Sequence, residues 1–106
     1  MAFKVVEYMS AGRSPFAEWF ERLDAVTAAR VDRYIRRLEA GNLGAVKSVR
    51  EGVFEVRMDF GPGYRVYFGW EGRTIVVLLG GSDKRRQAAD IAAAIQRWKL
   101  NKQEKS

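Results

Sequence analysis

The alternation of apolar and polar residues predicts a strand, two helices, several further strands and a last helix, in that order. Phe3 to Met9 (FKVVEYM) is a short β-rich run, and SAGRSP after it is a loop. Ser14 followed by Pro15 opens a short helix, PFAEWFERL, that buries Phe16, Trp19, Phe20 and Leu23. A second helix starts from Asp24 as cap. Its Ala28, Val31, Ile35 and Leu38 recur at helical spacing, Arg30, Arg33 and Arg37 form a row on another face, and Gly41 is the left-handed stop. The two make an antiparallel hairpin with one apolar side.

Beyond it the rhythm changes to two. AVKSVREG is a brief, mixed strand, and VFEVRMDF sets Phe54, Val56, Met58 and Phe60 against Glu55, Arg57 and Asp59. After a Gly-Pro-Gly turn, Tyr64, Val66, Phe68 and Trp70 alternate with Arg65 and Tyr67, and RTIVVLLGG is apolar on both faces, as a covered central strand should be. SDKRRQAADIAAAIQRWKL is an amphipathic helix with Ala88, Ile91, Ile95 and Trp98 as its buried stripe. These elements predict one α+β domain over residues 1–100: a small, mostly meander antiparallel sheet, an N-terminal helical hairpin and a C-terminal helix, with the helices on one face. Residues 101–106 read as a frayed tail.

Composition narrows the chemistry. A chain of 106 residues holds one core, and the absence of Cys and His removes disulfides, thiolate chemistry, the commonest metal ligand and the commonest general base. No metal or cofactor is expected. The net charge of +6 suggests a polyanionic partner, nucleic acid before anionic membrane, or else simply a soluble basic protein. No apolar run approaches a spanning helix and the N-terminus lacks a signal-peptide pattern, so a cytoplasmic location is expected, without membrane association.

Two local conflicts point to an anion. If the Gly-Pro-Gly turn centres near Gly61, positions summing to 122 face each other, so Arg57 opposes Arg65 and Glu55 opposes Tyr67. Like charges so placed are unfavourable by roughly 0.2–1 kcal/mol. Lys84, Arg85 and Arg86 crowd the positive end of the last helix, at about 0.3–1 kcal/mol per exposed cation. A bound phosphate would reverse both penalties. The alternative is that Arg57 and Arg65 splay into solvent or pair with Glu55 and Asp59, and that Lys84 to Arg86 are a solvated first turn. Lys47 and Arg50 join the basic region if their strand abuts VFEVRM.

Over Trp19 to Trp98, the combination GNLG…K.V..GVFEVR…GYRVYF…LLGG.DK..Q..DI resembles the RelE/HigB-like toxins of bacterial type II toxin–antitoxin modules, in the branch of phage-derived or addiction-module killer proteins. The resemblance implies a RelE-like α+β fold and an mRNA endoribonuclease acting in the A site of the 70S ribosome. It also implies neutralisation by a cognate antitoxin, often a helix-turn-helix protein. Arg65 matches the arginine of the family's GYR strand, Arg57 and Glu55 fall on the strand before it, and Lys84 matches the basic residue opening the last helix. Where some relatives carry a base-stacking tyrosine, the nearest positions here are Asp90 and Ile91, and Glu55 is acidic where some have lysine.

Metal-free cleavage needs a base, an acid and cations for the phosphorane. Glu55 or Lys47 is the expected base, and Arg57, Arg65 and Lys84 the phosphate ligands. Arg50, Arg85 and Arg86 extend the RNA-binding surface; Tyr67 either stacks on a base, donates a proton or is a half-exposed strand aromatic. The competing readings are a non-catalytic nucleic-acid- or partner-binding module on the same fold, and a phage structural or assembly protein.

Overall fold

The computed structural model describes residues 2–105. Among them the chain forms β1 (Lys4–Glu7), α1 (Pro15–Glu21), α2 (Ala25–Glu39), β2 (Val46–Arg50), β3 (Val53–Arg57), β4 (Arg65–Glu71), β5 (Ile75–Ser82), a 3-10 turn at Lys84–Arg86 and α3 (Gln87–Lys105). Local chemistry places the helix ends as expected. Ser14 accepts from the N–H of Ala17 at 3.0 Å with Pro15 in the first turn, and Asp24 accepts from Thr27 at 3.3 Å. Gly41, at φ 94°, ends α2: its N–H reaches the Leu38 carbonyl, and that of Asn42 the Arg37 carbonyl.

The strands lie in the order β1-β5-β4-β3-β2. β2 to β5 form the antiparallel meander, but β1 runs parallel to β5, pairing Val5 with Val76 and Val6 with Val77. The sheet is therefore mixed: the two-helix connection delivers β2 to the far edge running opposite to β1, and the three reversals of the meander bring β5 back beside β1 in the parallel sense.

The helices do not share one face. Phe16 of α1 and Val31, Ile35 and Leu38 of α2 pack with Val56, Val66, Phe68, Val76 and Leu78. Ile91, Ala94, Ile95 and Trp98 of α3 pack on the other face, against Val53, Tyr67, Val77 and Leu79. The strand face expected to be open thus carries a second core. Two glycines seat tryptophans, one on each face: a Cβ on Gly69 would lie 2.6 Å from the Trp98 ring, and one on Gly81 2.4 Å from the Trp19 ring on the α1 side. Ala88, expected in the buried stripe of α3, is exposed. The expected frayed tail is instead the last turn and a half of α3, held by buried Asn101 and by Lys102 over the Trp98 ring; Ser106 lies outside the described residues.

One irregularity re-aims the sheet. Tyr67 pairs with Gly80 but Phe68 with Leu78, so Leu79 is an extra residue in β5. Leu79 packs on the α3 side, and so does Gly80, whose missing Cβ makes room for Arg97 Nη1 where that donates to the Leu79 carbonyl at 2.8 Å. Strict alternation from Val76 and Leu78 would send Ser82 toward α1; the bulge delivers it to the α3 side.

Candidate functional site

The β3–β4 hairpin holds the expected register: Arg57 faces Arg65 and Glu55 faces Tyr67. Period-two geometry places all four side chains on the α3 side of the sheet. What the sequence leaves open is how the two guanidinium groups coexist. Glu55, only 2% exposed, lies between them. Its Oε2 accepts from Arg57 Nε, and its Oε1 stands 3.5 Å from Arg65 Nε. The chain supplies its own anion, so of the two alternatives for Arg57, pairing with Glu55 is the one observed. The expected role of Glu55 as general base meets a physical obstacle, since both its oxygens face guanidinium nitrogens.

Arg65 is the more enclosed cation, its side chain 15% exposed against 55% for Arg57. Its Nη1 donates to the Gly63 carbonyl at 2.9 Å, while Nε is buried without a hydrogen-bond acceptor. Gly63 also links Lys84 to the group: a Cβ on Gly63 would lie 3.5 Å from Arg65 Nη1 and 3.6 Å from Lys84 Cβ, and the Lys84 N–H donates to the Pro62 carbonyl at 3.1 Å. Gly61 and Gly63 both have positive φ, which permits the turn against which Lys84 packs. A cleft of about 300 Å³, lined by Arg57, Asp59, Gly63, Tyr64 and Arg65, opens at this end of the hairpin. Arg57 and Arg65 here meet buried Glu55 and, on the cleft wall, Asp59, while Lys84 stands beside Gly63; the two guanidinium groups form a cradle suited to an oxyanion held by forked N–H donors.

The remaining candidates divide. Lys47 lies directly across from Glu55 in β2 and is exposed, so its strand does abut β3; Arg50 is exposed beyond a register shift in β2. Tyr67 is neither half-exposed nor available for stacking. Its ring is fully buried beneath α3, its hydroxyl is 2.8 Å from Ser82 Oγ, and burial raises its pKa above 10.0, opposed by that hydrogen bond. Lys84, Arg85 and Arg86 form a 3-10 turn and do not begin α3 directly. Asp83 caps it, accepting from the Arg85 N–H at 2.9 Å and pairing with the Arg85 guanidinium at 3.2 Å, and those hydrogen bonds lower its pKa. A carboxylate thus already offsets the second charge conflict.

Asp83 and Ser82 are not among the residues expected from the sequence, and Asp90 entered only as a position near which some relatives carry a tyrosine. The cap had a signal, an Asp immediately before the basic turn. Ser82 had none, because only the bulge carries it to Tyr67. Asp90 lines a second cleft, of about 600 Å³, with Trp19, Arg22, Tyr64 and Arg86, and burial raises its pKa above 3.8 against the pull of Arg86 and Arg97. Among the described residues no cluster of His, Cys, Asp or Glu is arranged to hold a metal ion, and no helix is long and apolar enough to cross a membrane.

The family model described as "Phage derived protein Gp49-like" matches residues 18–99, which include the hairpin, the 3-10 turn and most of α3. The chain belongs to this Gp49-like family. It is also 44% identical over 80 residues to an uncharacterized protein of Haemophilus influenzae, covering 74% of this chain and 81% of that one.

Proposed function

We propose that this Gp49-like protein is the toxin of a type II toxin–antitoxin module, kin to the RelE/HigB-like toxins. It acts in the cytoplasm as a metal-independent mRNA endoribonuclease on translating ribosomes, until a cognate antitoxin, often of the helix-turn-helix type, neutralises it. The observation that carries this reading is the convergence of Arg57, Arg65 and Lys84 on one end of the β3–β4 hairpin. The scissile phosphate sits in that cradle. The RNA 2′-hydroxyl, losing its proton, attacks phosphorus; the bond to the 5′-oxygen breaks, that oxygen takes up a proton, and a cyclic phosphate remains. Charge building on the phosphorane is met by the guanidinium groups and the ammonium. Glu55 serves as their counter-ion. Proton transfer falls to Lys47 or to groups of the substrate and ribosome, and Arg50, Arg85 and Arg86 hold flanking RNA.

The test is expression in a bacterium with and without the neighbouring open reading frame, with mRNA 5′ ends mapped. Growth arrest with new, codon-aligned 5′ ends that the neighbour abolishes is the expected result. Efficient cleavage of naked RNA that requires magnesium would overturn it.

A second reading, a non-catalytic nucleic-acid- or partner-binding module, draws support from the engagement of both Glu55 oxygens, which ties the expected carboxylate base into ion pairs. In that case induction arrests nothing, while RNA binding persists and weakens with salt.

A further inference from the structure

The cleft that Asp90 lines takes its walls from both faces of the sheet. Trp19, Leu23 and Tyr64 belong to the face that α1 and α2 cover, whereas Asp90 comes from α3 on the other. A space that reaches both lies where the sheet stops. β1 pairs with β5 only as far as Leu78, so residues 79–82 of β5 run on without a β1 partner, and Gly81 and Ser82 line the cleft. With no Cβ on Gly81, the Trp19 ring lies against the strand, and it meets the Tyr64 ring edge-on with centroids 6.2 Å apart. The volume of about 600 Å³ holds a nucleobase with its sugar.

The polar groups of the cleft are unevenly satisfied. Asp83 and Arg85 engage each other. The side chains of Arg22, Arg86 and Asp90 form no hydrogen bond or ion pair with a described residue. Burial works against the Asp90 carboxylate, while Arg86 and Arg97 favour its charged form. A half-buried, unpaired carboxylate in an aromatic cleft is a recognition group waiting for donors.

A carboxylate offers acceptors and no donor. Among RNA bases, guanine sets two donors side by side on one edge, N1–H and the 2-amino group. Adenine and cytosine set a donor beside an acceptor, and uracil has a lone donor between acceptors. Tyr64 also walls the cleft of Arg57 and Arg65, so the two clefts adjoin at one ring.

From the aromatic walls, the unpaired Asp90 and this adjacency, we propose that the Trp19–Asp90 cleft is a guanine site. It takes the base of an RNA nucleotide whose neighbouring phosphate lies against Arg57 and Arg65, with Asp90 accepting from N1–H and the 2-amino group. The inference rests on the reading of the hairpin end as an RNA phosphate site, whether or not the RNA is cut.

The test uses the full chain at pH 7 with the trinucleotides UGU, UAU and UCU, made with 2′-O-methyl sugars that cannot cyclise, and follows amide and indole chemical shifts. UGU should bind about tenfold more tightly than the other two and shift the Trp19 indole and the Asp90 amide. Asp90→Asn, whose amide sets a donor beside an acceptor, should turn the preference toward UAU. Equal affinities, a UGU preference that survives Asp90→Asn, shifts that spare Trp19, or free 5′-GMP binding as tightly as UGU would each overturn it. If Arg65→Ala leaves every affinity unchanged, the phosphate reading falls; the guanine site falls with it only if guanosine, which carries no phosphate, also fails to shift Trp19 in preference to adenosine.

Discussion

Arg57 and Arg65 are direct partners across the β3–β4 hairpin, and a single buried carboxylate, Glu55, keeps the two like charges together. The arrangement positions both guanidinium groups before any ligand arrives, so little ordering is left to be done on binding.

On the proposed toxin reading, replacing Arg65 with alanine should abolish growth inhibition while leaving antitoxin binding intact. Arg65→Lys should restore only part of the effect, because an ammonium cannot reproduce the forked contact. In RNA-binding titrations against salt, removing one phosphate contact should reduce the magnitude of the slope by about one.

Glu55→Ala should destabilise the fold by about 1–3 kcal/mol, since Arg65 Nε would then lie buried with no nearby carboxylate; the exposure of Arg57 keeps the figure below that of a fully buried pair. Urea unfolding measures it. If Glu55 were instead a general base, Glu55→Gln would lower cleavage with RNA affinity unchanged.

Burial raises the Tyr67 phenol above its ordinary value of 10.0, so the folded state favours the neutral form. The stabilisation is complete below pH 10.0 and is lost as pH climbs through the folded value. Tyr67→Phe should remove this alkaline dependence and, by leaving Ser82 Oγ without its partner, cost about 1–2 kcal/mol at neutral pH in urea unfolding.

Asp90 has the same sign at the acid end. Burial is the largest cause of its raised pKa, so its neutral form is favoured by folding below pH 3.8 and that contribution disappears as pH rises. Asp90→Asn should therefore raise the thermal midpoint at pH 7, with the gain vanishing near pH 3 in parallel melts.

Gly81→Ala and Gly69→Ala should each destabilise by about 1–3 kcal/mol in denaturant unfolding, as the new methyl meets the rings of Trp19 and Trp98. The two effects should add, because the tryptophans lie on opposite faces of the sheet.

The helix starts at Ser14 and Asp24, the stop at Gly41 and the Arg57–Arg65 register were all legible in the sequence, because each follows from interactions within a few residues or across one tight turn. Three features were not legible. Alternation in β3 and β4 marked Glu55, Arg57, Arg65 and Tyr67 as one face, but could not say that α3 would cover it, since a polar-looking face and a face with a buried ion pair share one pattern. The parallel pairing of β1 with β5 joins segments some seventy residues apart, beyond any local rule. The extra residue Leu79 resets the face of everything after it, and so carries Ser82 to Tyr67. The sequence by itself determined which residues could carry charge and where the chain must turn; the packing of α3 and the bulge in β5 decided which of them reach solvent, because burial is a property of the assembled layers.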